Sequence, residues 1–258
     1  MTRQVFTNEP LKVELENYSS LYVFPLSDIH YGNKYCNEDF FDVWLEVFRQ
    51  CKGEKIIYLL GDLLETPTSK FSSYDASMTT NEAMEEIVKK LKPFQDYIRY
   101  SVSGNHELRT SKEFNYDVGL EIANRLYCPH SRNDFFDTLY LNGKRFTIYG
   151  LHGVSTSRSS DLSLRKFKTE SGIKIANLHL QGHNHYSKFD SEYIRTSDGG
   201  HRNYYCFTGH FINYKDSYAH NKQYNPSPCS FQRIAVDENG ICQTQFYNAD
   251  EIMEDYEL

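Results

Sequence analysis

No stretch of the sequence approaches the roughly 20 consecutive apolar residues that a membrane helix requires, which excludes a chain built to cross a bilayer on helices. The opening residues, MTRQVFTNEPLKVELENYSS, lack the basic-then-apolar order of an export signal, so a cytoplasmic protein with no membrane partner is expected. None of the six cysteines, Cys36, Cys51, Cys128, Cys206, Cys229 and Cys242, falls in a C-x-x-C pair. That spacing argues against a zinc–cysteine site and, without an export signal, favours free thiols over disulfides. Positive charge is not in excess either. With 35 acidic against 28 basic residues the formal net charge is −7, which counts against coating nucleic acid by phosphate neutralisation. A small site that handles phosphate with the help of cations is untouched by that argument. There is no repeat, low-complexity tract or Pro/Gly-rich linker, and 258 residues suffice to bury a core without staples. Residues 1–258 are therefore read as one domain.

What the sequence does hold is a series of short apolar runs, each closed by a polar break. They are Leu21–Leu26, Lys55–Leu60, Tyr97–Val102, Arg145–Tyr149, Ala176–Leu180 and Asn203–Thr208. Runs of this length and composition read as strands, several buried on both faces. Helical spacing lies between them: Asn37 is placed to cap a helix from Glu38, another starts near Asn81, and Phe114–Leu126 is a third. Strand and helix in alternation give an α/β fold. Ser230–Val236 and Ile241–Tyr247, joined across Gly240, read as a closing β-hairpin. The Ser/Thr-rich stretch Thr66–Thr80 reads as a surface loop, and the acidic tail Asp250–Leu258 as solvated.

The polar breaks repeat one chemistry. They read Ser27-Asp28-Ile29-His30, Gly61-Asp62, Gly104-Asn105-His106-Glu107, Gly150-Leu151-His152-Gly153 and Gly182-His183-Asn184-His185. In open α/β sheets ligands bind beyond the carboxyl ends of the strands, so parallel strands would bring all five breaks to one place. They offer carboxylates from Asp28 and Asp62, imidazoles from His30, His152, His183 and His185, and the amide oxygen of Asn105. Mixed nitrogen and oxygen donors suit divalent manganese, iron, zinc, cobalt or nickel. Asp28 and His30 are two apart, so in an extended segment their side chains share a face; His183 and His185 repeat the arrangement. Seven groups exceed the needs of one ion and suit two that share a carboxylate. Each piece alone is ordinary: Gly-Asn is turn chemistry, and a lone His152 reads as a core or surface histidine. The ordered set of five, each after a strand, carries the reading.

Together these motifs resemble the ordered signature of the calcineurin-like metallophosphoesterases, over residues 28–185. The resemblance implies a four-layer α/β/β/α sandwich of two mixed sheets flanked by helices, with two divalent metal ions, manganese first among the candidates. Carried over, one ion is held by Asp28, His30, Asp62 and His185, the other by Asp62, Asn105, His152 and His183, with Asp62 bridging. It implies hydrolysis of a phosphodiester or nucleotide phosphate by a metal-activated hydroxide. His106 then faces the substrate and protonates the leaving oxygen, with Gly104 giving the sharp backbone turn. Asn105, His106 and Arg109 are the candidate contacts to substrate. Glu107 either orients the His106 region or makes a surface hydrogen bond.

The chain also departs from relatives. Protein Ser/Thr phosphatases continue Gly-Asp into Asp-Arg-Gly, whereas Gly61-Asp62 here runs into Leu63-Leu64-Glu65-Thr66, which argues against that branch. The length resembles the small stand-alone phosphoesterases. Two alternatives stay open: a DNA or RNA nuclease with the same metal chemistry, and a non-catalytic protein-binding module. Arg158, Arg165, Lys166, Lys168 and Lys174, within 154–174, read as a solvated helix face rather than a phosphate rim. His210 reads as structural, and the 21 tyrosines as core rather than as platforms for bases.

Overall fold

The computed structural model describes residues 9–15, 20–68, 75–153, 160–171, 176–196, 199–213 and 227–255. In chain order its elements are β1 (Leu11–Val13), β2 (Ser20–Leu26), α1 (Glu38–Gln50), β3 (Lys55–Leu59), α2 (Thr80–Leu91), β4 (Ile98–Val102), α3 (Asn105–Phe114), α4 (Val118–Arg125) and β5 (His130–Ser131). There follow β6 (Asp134–Leu141), β7 (Lys144–Leu151), α5 (Ser160–Ser171), β8 (Leu178–Gln181), β9 (Ser187–Thr196), β10 (Gly199–His210), β11 (Ser230–Asp237), β12 (Cys242–Asn248) and α6 (Ala249–Asp255). No helix among the described residues is long and apolar enough to cross a membrane.

Helix boundaries follow from capping. The Asn37 side chain accepts the Phe40 N–H at 3.1 Å, an arrangement worth about 1 kcal/mol, and the apolar stripe behind it buries Phe40, Phe41, Trp44, Leu45 and Phe48. For α2 the cap is Thr79, which exchanges hydrogen bonds with Glu82 in a capping box; the helix therefore starts just ahead of the expected Asn81. The expected helix over Phe114–Leu126 is two helices. Asn115 is left-handed at φ 51° and ends α3, and Asp117 accepts the Leu120 N–H to open α4. The C-terminal tail is likewise not merely solvated, since α6 seats Ala249 and Ile252 against the core. The Thr66–Thr80 stretch begins with two buried threonines, Thr66 and Thr68, and its residues 69–74 lie outside the described residues.

The strands hydrogen-bond in the order β1-β6-β7-β8-β10-β11-β2-β3-β4-β5, with β9 beside β10 and β12 beside β11. Among the described residues the sheet is continuous only through two residue pairs, Gly209 with Phe231 and His210 with Ser230. On either side of that seam its two halves face each other across one apolar layer that includes Val23, Leu60, Leu139, Ile148, Leu178 and Ile234. A second layer packs α1, α2 and α4 on the outer face of β2 and β3, with Trp44, Ile87 and Ile122 against Phe24, Ile57 and Leu59. A third seats Leu164 and Phe167 of α5 on Tyr205 and Phe207 of β10. The result is the expected helix–sheet–sheet–helix order.

Strand direction positions the site. β2, β3, β4 and β5 are mutually parallel, as are β7, β8 and β10. β11 is antiparallel to both β10 and β2, so the two parallel sets run the same way. The ends of β2, β3, β4, β7, β8 and β10 therefore meet at one edge.

One buried histidine makes stability depend on pH. His179 of β8 donates from Nε2 to the Ala176 carbonyl at 3.1 Å and stacks on Tyr205 with ring centroids 4.8 Å apart. Burial pushes its pKa from 6.5 down to about 4. Between those values the unfolded chain binds a proton that the folded chain does not, so stability rises with pH in that window. Stability present above pH 6.5 is thus lost as the pH falls toward 4, by up to ~3 kcal/mol at 1.36 kcal/mol per unit. Urea unfolding at either end of the window measures the loss, which should shrink in His179→Phe; an identical loss in the variant would remove His179 as its cause.

Candidate metal centre

All five motifs arrive at the shared edge, but not in the extended conformation that their spacing predicts. Asp28, His30, Asp62, His183 and His185 are all left-handed, with φ of 53°, 51°, 49°, 70° and 50°. The side chains converge because the backbone coils past each strand end, not because residues two apart share a strand face. Asp, Asn and His are the non-glycine residues that enter this region most readily, though at some cost each. The coil is held by a backbone ladder: Asp28 N–H donates to the Gly61 carbonyl and His30 N–H to the Asp62 carbonyl, both at 3.0 Å.

Two glycines allow the loops after β3 and β4 to touch. A Cβ on Gly61, itself at φ 83°, would lie 2.3 Å from the Gly104 nitrogen, and one on Gly104 would lie 2.1 Å from Asp62 Oδ1. Gly104 is extended rather than left-handed, at φ −86° and ψ −179°. It is required for close approach, not for the sharp turn expected of it, and its motif opens α3. Glu107 makes no surface hydrogen bond. It is buried, and its carboxylate accepts the N–H groups of Asp62 at 2.9 Å, Leu64 at 3.1 Å and Gly104 at 2.8 Å. Burial, then the nearby Asp62 charge, raise its pKa against the pull of those bonds.

The side chains fall into adjoining clusters. Asp28, His30 and His185 present ligand atoms within 4.8 Å of one another, as do Asp62, His152 and His183. His185 Nε2 lies 3.3 Å from Asp28 Oδ1 and 3.2 Å from His30 Nε2. His152 Nε2 lies 3.2 Å from Asp62 Oδ2, 3.1 Å from Asn105 Oδ1 and 3.2 Å from His183 Nδ1. His152 Nδ1 donates to the Leu60 carbonyl at 2.8 Å, which fixes the ring with Nε2 turned toward its neighbours. Asp62 stands between the clusters: Oδ1 accepts the His106 N–H at 2.8 Å, while Oδ2 is also 3.8 Å from His30 Nε2.

The residues fit a divalent cation. Asp28 Oδ1 is buried with no hydrogen-bond partner among the described residues, a costly state for a carboxylate oxygen that a cation relieves. Its other oxygen is satisfied by Ser27 Oγ and the His183 N–H. Burial alone would raise the Asp28 pKa, but His185 and then His152 hold it below the usual carboxylate range. Burial is likewise outweighed at Asp62 by His152 and His106. Both groups stay anionic, as cation ligands must.

Sequence reasoning missed Glu65. Its Oε1 lies 3.1 Å from His106 Nδ1, and its Oε2 lies 3.5 Å from His30 Nδ1 and accepts Asn33 Nδ2 at 3.1 Å. These histidines outweigh burial and hold its pKa below the ordinary value. The one available signal was its place three residues after Asp62. His106 also sits edge-on to His30, with centroids 4.4 Å apart. Arg109 reaches the same spot, with Nη2 2.9 Å from His106 Nε2 and Nη1 3.6 Å from Glu65 Oε1. His210, at the end of β10, is buried and stacks on His185 at 5.2 Å between centroids. Of the basic residues in 154–174, Lys166 pairs with Glu170 and Lys168 with Asp190 and Glu192, while Arg158 and Lys174 lie outside the described residues. Tyr31, Tyr58, Tyr149, Tyr204 and Tyr205 are buried.

A helix–sheet–sheet–helix sandwich with carboxylates and imidazoles gathered at one edge of its parallel strands is the build of a metallophosphoesterase. The model of the calcineurin-like phosphoesterase family matches residues 23–214, and the chain belongs to that family. Among solved structures it is similar to a conserved predicted phosphoesterase of Streptococcus pneumoniae TIGR4, at 14% identity over 89% of this chain and 90% of that one, with a TM-score of 0.42. A metallophosphoesterase of Sphaerobacter thermophilus is 16% identical over 89% and 88%, with a TM-score of 0.43. Vacuolar Protein Sorting 29 of Cryptosporidium parvum is 14% identical over 88% and 97%, with a TM-score of 0.44. No curated protein matches the chain.

Proposed function

We propose that this protein is a hydrolase of phosphodiester or nucleotide phosphate bonds that works with two divalent cations. The observation that carries the reading is the position of Asp62, whose Oδ2 faces His152 at 3.2 Å and His30 at 3.8 Å. Asp28, His30, Asp62 and His185 would hold one cation; Asp62, Asn105, His152 and His183 would hold the other. Bound there, such ions supply Lewis-acid charge to phosphoryl oxygens and lower the pKa of a bound water.

The remaining steps belong to the side chains. His106 donates from Nδ1 to Glu65, which fixes the ring and makes Nε2 the nitrogen that exchanges protons. Arg109, now on Nε2 at 2.9 Å, moves to a phosphoryl oxygen when substrate arrives. With Nε2 freed and protonated from solvent, a water oxygen adds to phosphorus and gives up one proton to solvent, the phosphorus bond to the leaving oxygen breaks in line with it, and that oxygen takes the proton from His106 Nε2. No covalent enzyme intermediate is involved.

The test compares bis-p-nitrophenyl phosphate, p-nitrophenyl phosphate and single-stranded DNA with Mn²⁺ added, beside Asp62→Asn. Diester turnover that is absent from the variant supports the reading, and DNA cleavage would specify a nuclease. Absence of turnover on every probe while two ions are bound would overturn it in favour of a binding module. The proton donor has its own test. His106→Ala should slow esters with poor leaving groups by roughly 10²–10⁴ and spare p-nitrophenolate departure, with metal content unchanged. Glu65→Gln should give a loss of roughly 10–100-fold. Full rates on a poor leaving group in His106→Ala would remove the acid role.

A further inference from the structure

Opposite the candidate metal centre, at the starts of the strands, lies a cavity of about 410 Å³. That is within the range of small-molecule sites. Phe146, Tyr204 and Ile241 are its apolar lining residues, and Lys144, Arg145, His201 and Arg202 its basic ones. Its walls come from the start of β7, Asn177 just before β8, the first half of β10 and the β11–β12 turn. Seven residues of strand and strand end separate Arg145 from His152, roughly 23 Å at 3.3 Å per residue, so the cavity is remote from the metal centre.

Its charge runs against that of the chain. The protein has a formal net charge of −7, and many of its cations are matched to carboxylates, as Arg99 is to Asp137, Arg125 to Glu121, Arg132 to Asp117 and Lys168 to Asp190. Arg145 and Arg202 have no ion pair or hydrogen bond to another side chain among the described residues, although both line one cavity. Lys144 reaches only the neutral Asn239 Oδ1, at 2.8 Å. The one acid on the wall, Glu238, accepts from Asn142 Nδ2 at 3.3 Å. His201 Nε2 is shielded from solvent and has no hydrogen-bond partner among the described residues. An unmet group of that kind is costly until a ligand answers it. Guanidinium forks match phosphate oxygens in geometry as well as charge.

We propose that this cavity is a second ligand site that binds a small organic phosphate. The phosphate is held by Arg145 and Arg202, and the organic body lies against Phe146 and Tyr204. The proposal is independent of what the metal edge does.

Calorimetric titration of the full chain with adenosine 5′-monophosphate, adenosine and inorganic phosphate tests it. Each titration is run on the wild type, on Asp62→Asn, and on the double variant Arg145→Ala/Arg202→Ala. Expected is saturable binding of the monophosphate, tighter than that of phosphate and undetected for adenosine. It should persist in Asp62→Asn and weaken at least about tenfold in the arginine variant, as the loss of charge-assisted hydrogen bonds implies. Monophosphate binding that survives the arginine changes, or that disappears in Asp62→Asn, would overturn the proposal. So would binding of phosphate as tight as that of the monophosphate, or no saturation below about 10 mM. A urea midpoint equal to that of the wild type establishes that the arginine variant is folded.

Discussion

Glu107→Ala should destabilise the protein by about 3–6 kcal/mol, because it strands three buried backbone N–H groups at once and each costs about 1–3 kcal/mol when unpaired. The three belong to Asp62, Leu64 and Gly104, so one carboxylate ties the loop after β3 to the start of α3. Water entering the space left by the side chain would recover part of the loss, which sets the estimate below the sum. Glu107→Gln should fall between wild type and alanine, since it keeps one acceptor oxygen but turns an amide N–H₂ toward N–H groups. Urea unfolding measures both variants. A Glu107→Ala midpoint equal to that of the wild type would mean that the loops are held by something other than this carboxylate. The same variant should also bind Mn²⁺ more weakly, because the Asp62 backbone it releases carries the carboxylate that stands between the clusters.

The second large effect concerns chemistry with the fold kept. In Asp62→Asn, turnover of bis-p-nitrophenyl phosphate should fall by roughly 10³-fold or more. That corresponds to about 4 kcal/mol at 1.36 kcal/mol per decade, within what a Lewis-acid centre contributes. Asparagine has nearly the same shape, can still accept the His106 N–H through its oxygen, and tolerates the φ of 49° at this position. What it lacks is the charge that faces His30 and His152. Metal content after gel filtration should drop from two ions per chain to one or fewer, while the thermal midpoint of the metal-free protein stays within a few degrees of wild type. Retention of both ions with rates within tenfold of wild type would contradict the bridging role proposed for Asp62.

The strand ends were legible because parallel strands buried on both faces read as short apolar runs, and each such run stops where its polar motif begins. Their order along the chain then identified the family. Less legible were elements whose pattern is set by neighbours. β9, SKFDSEYIRT, is a polar edge strand recognisable only by its pairing with β10. β1 and β5 are too short to announce themselves. β6, DFFDTLYL, alternates in burial along its length, yet it was absent from the expected strands. Within the site, the structure brings the motif side chains together, but on a backbone the spacing did not reveal, because alternate spacing looks the same in a strand and in a left-handed coil. Glu65 was missed for a different reason: its one local mark is its place three residues after Asp62, and its meaning comes from His30 and His106 reaching it from other strands.

The five left-handed residues subject the metal edge to two filters at once. A deep mutational scan of positions 28, 30, 62, 183 and 185 should sort substitutions by backbone tolerance in an abundance assay and by donor chemistry in an activity assay. Asparagine and glycine accept the conformation without supplying the charge or the imidazole, so they should pass the first screen and fail the second. Valine, isoleucine and threonine, whose branched Cβ is ill suited to positive φ, should fail both. For variation at these positions, the accessible alphabet shrinks almost to the letters already in use. Drift there would then run through aspartate, asparagine, histidine and glycine, and a chain of this build that gave up its metals would be expected to carry those residues as the trace of its ancestry.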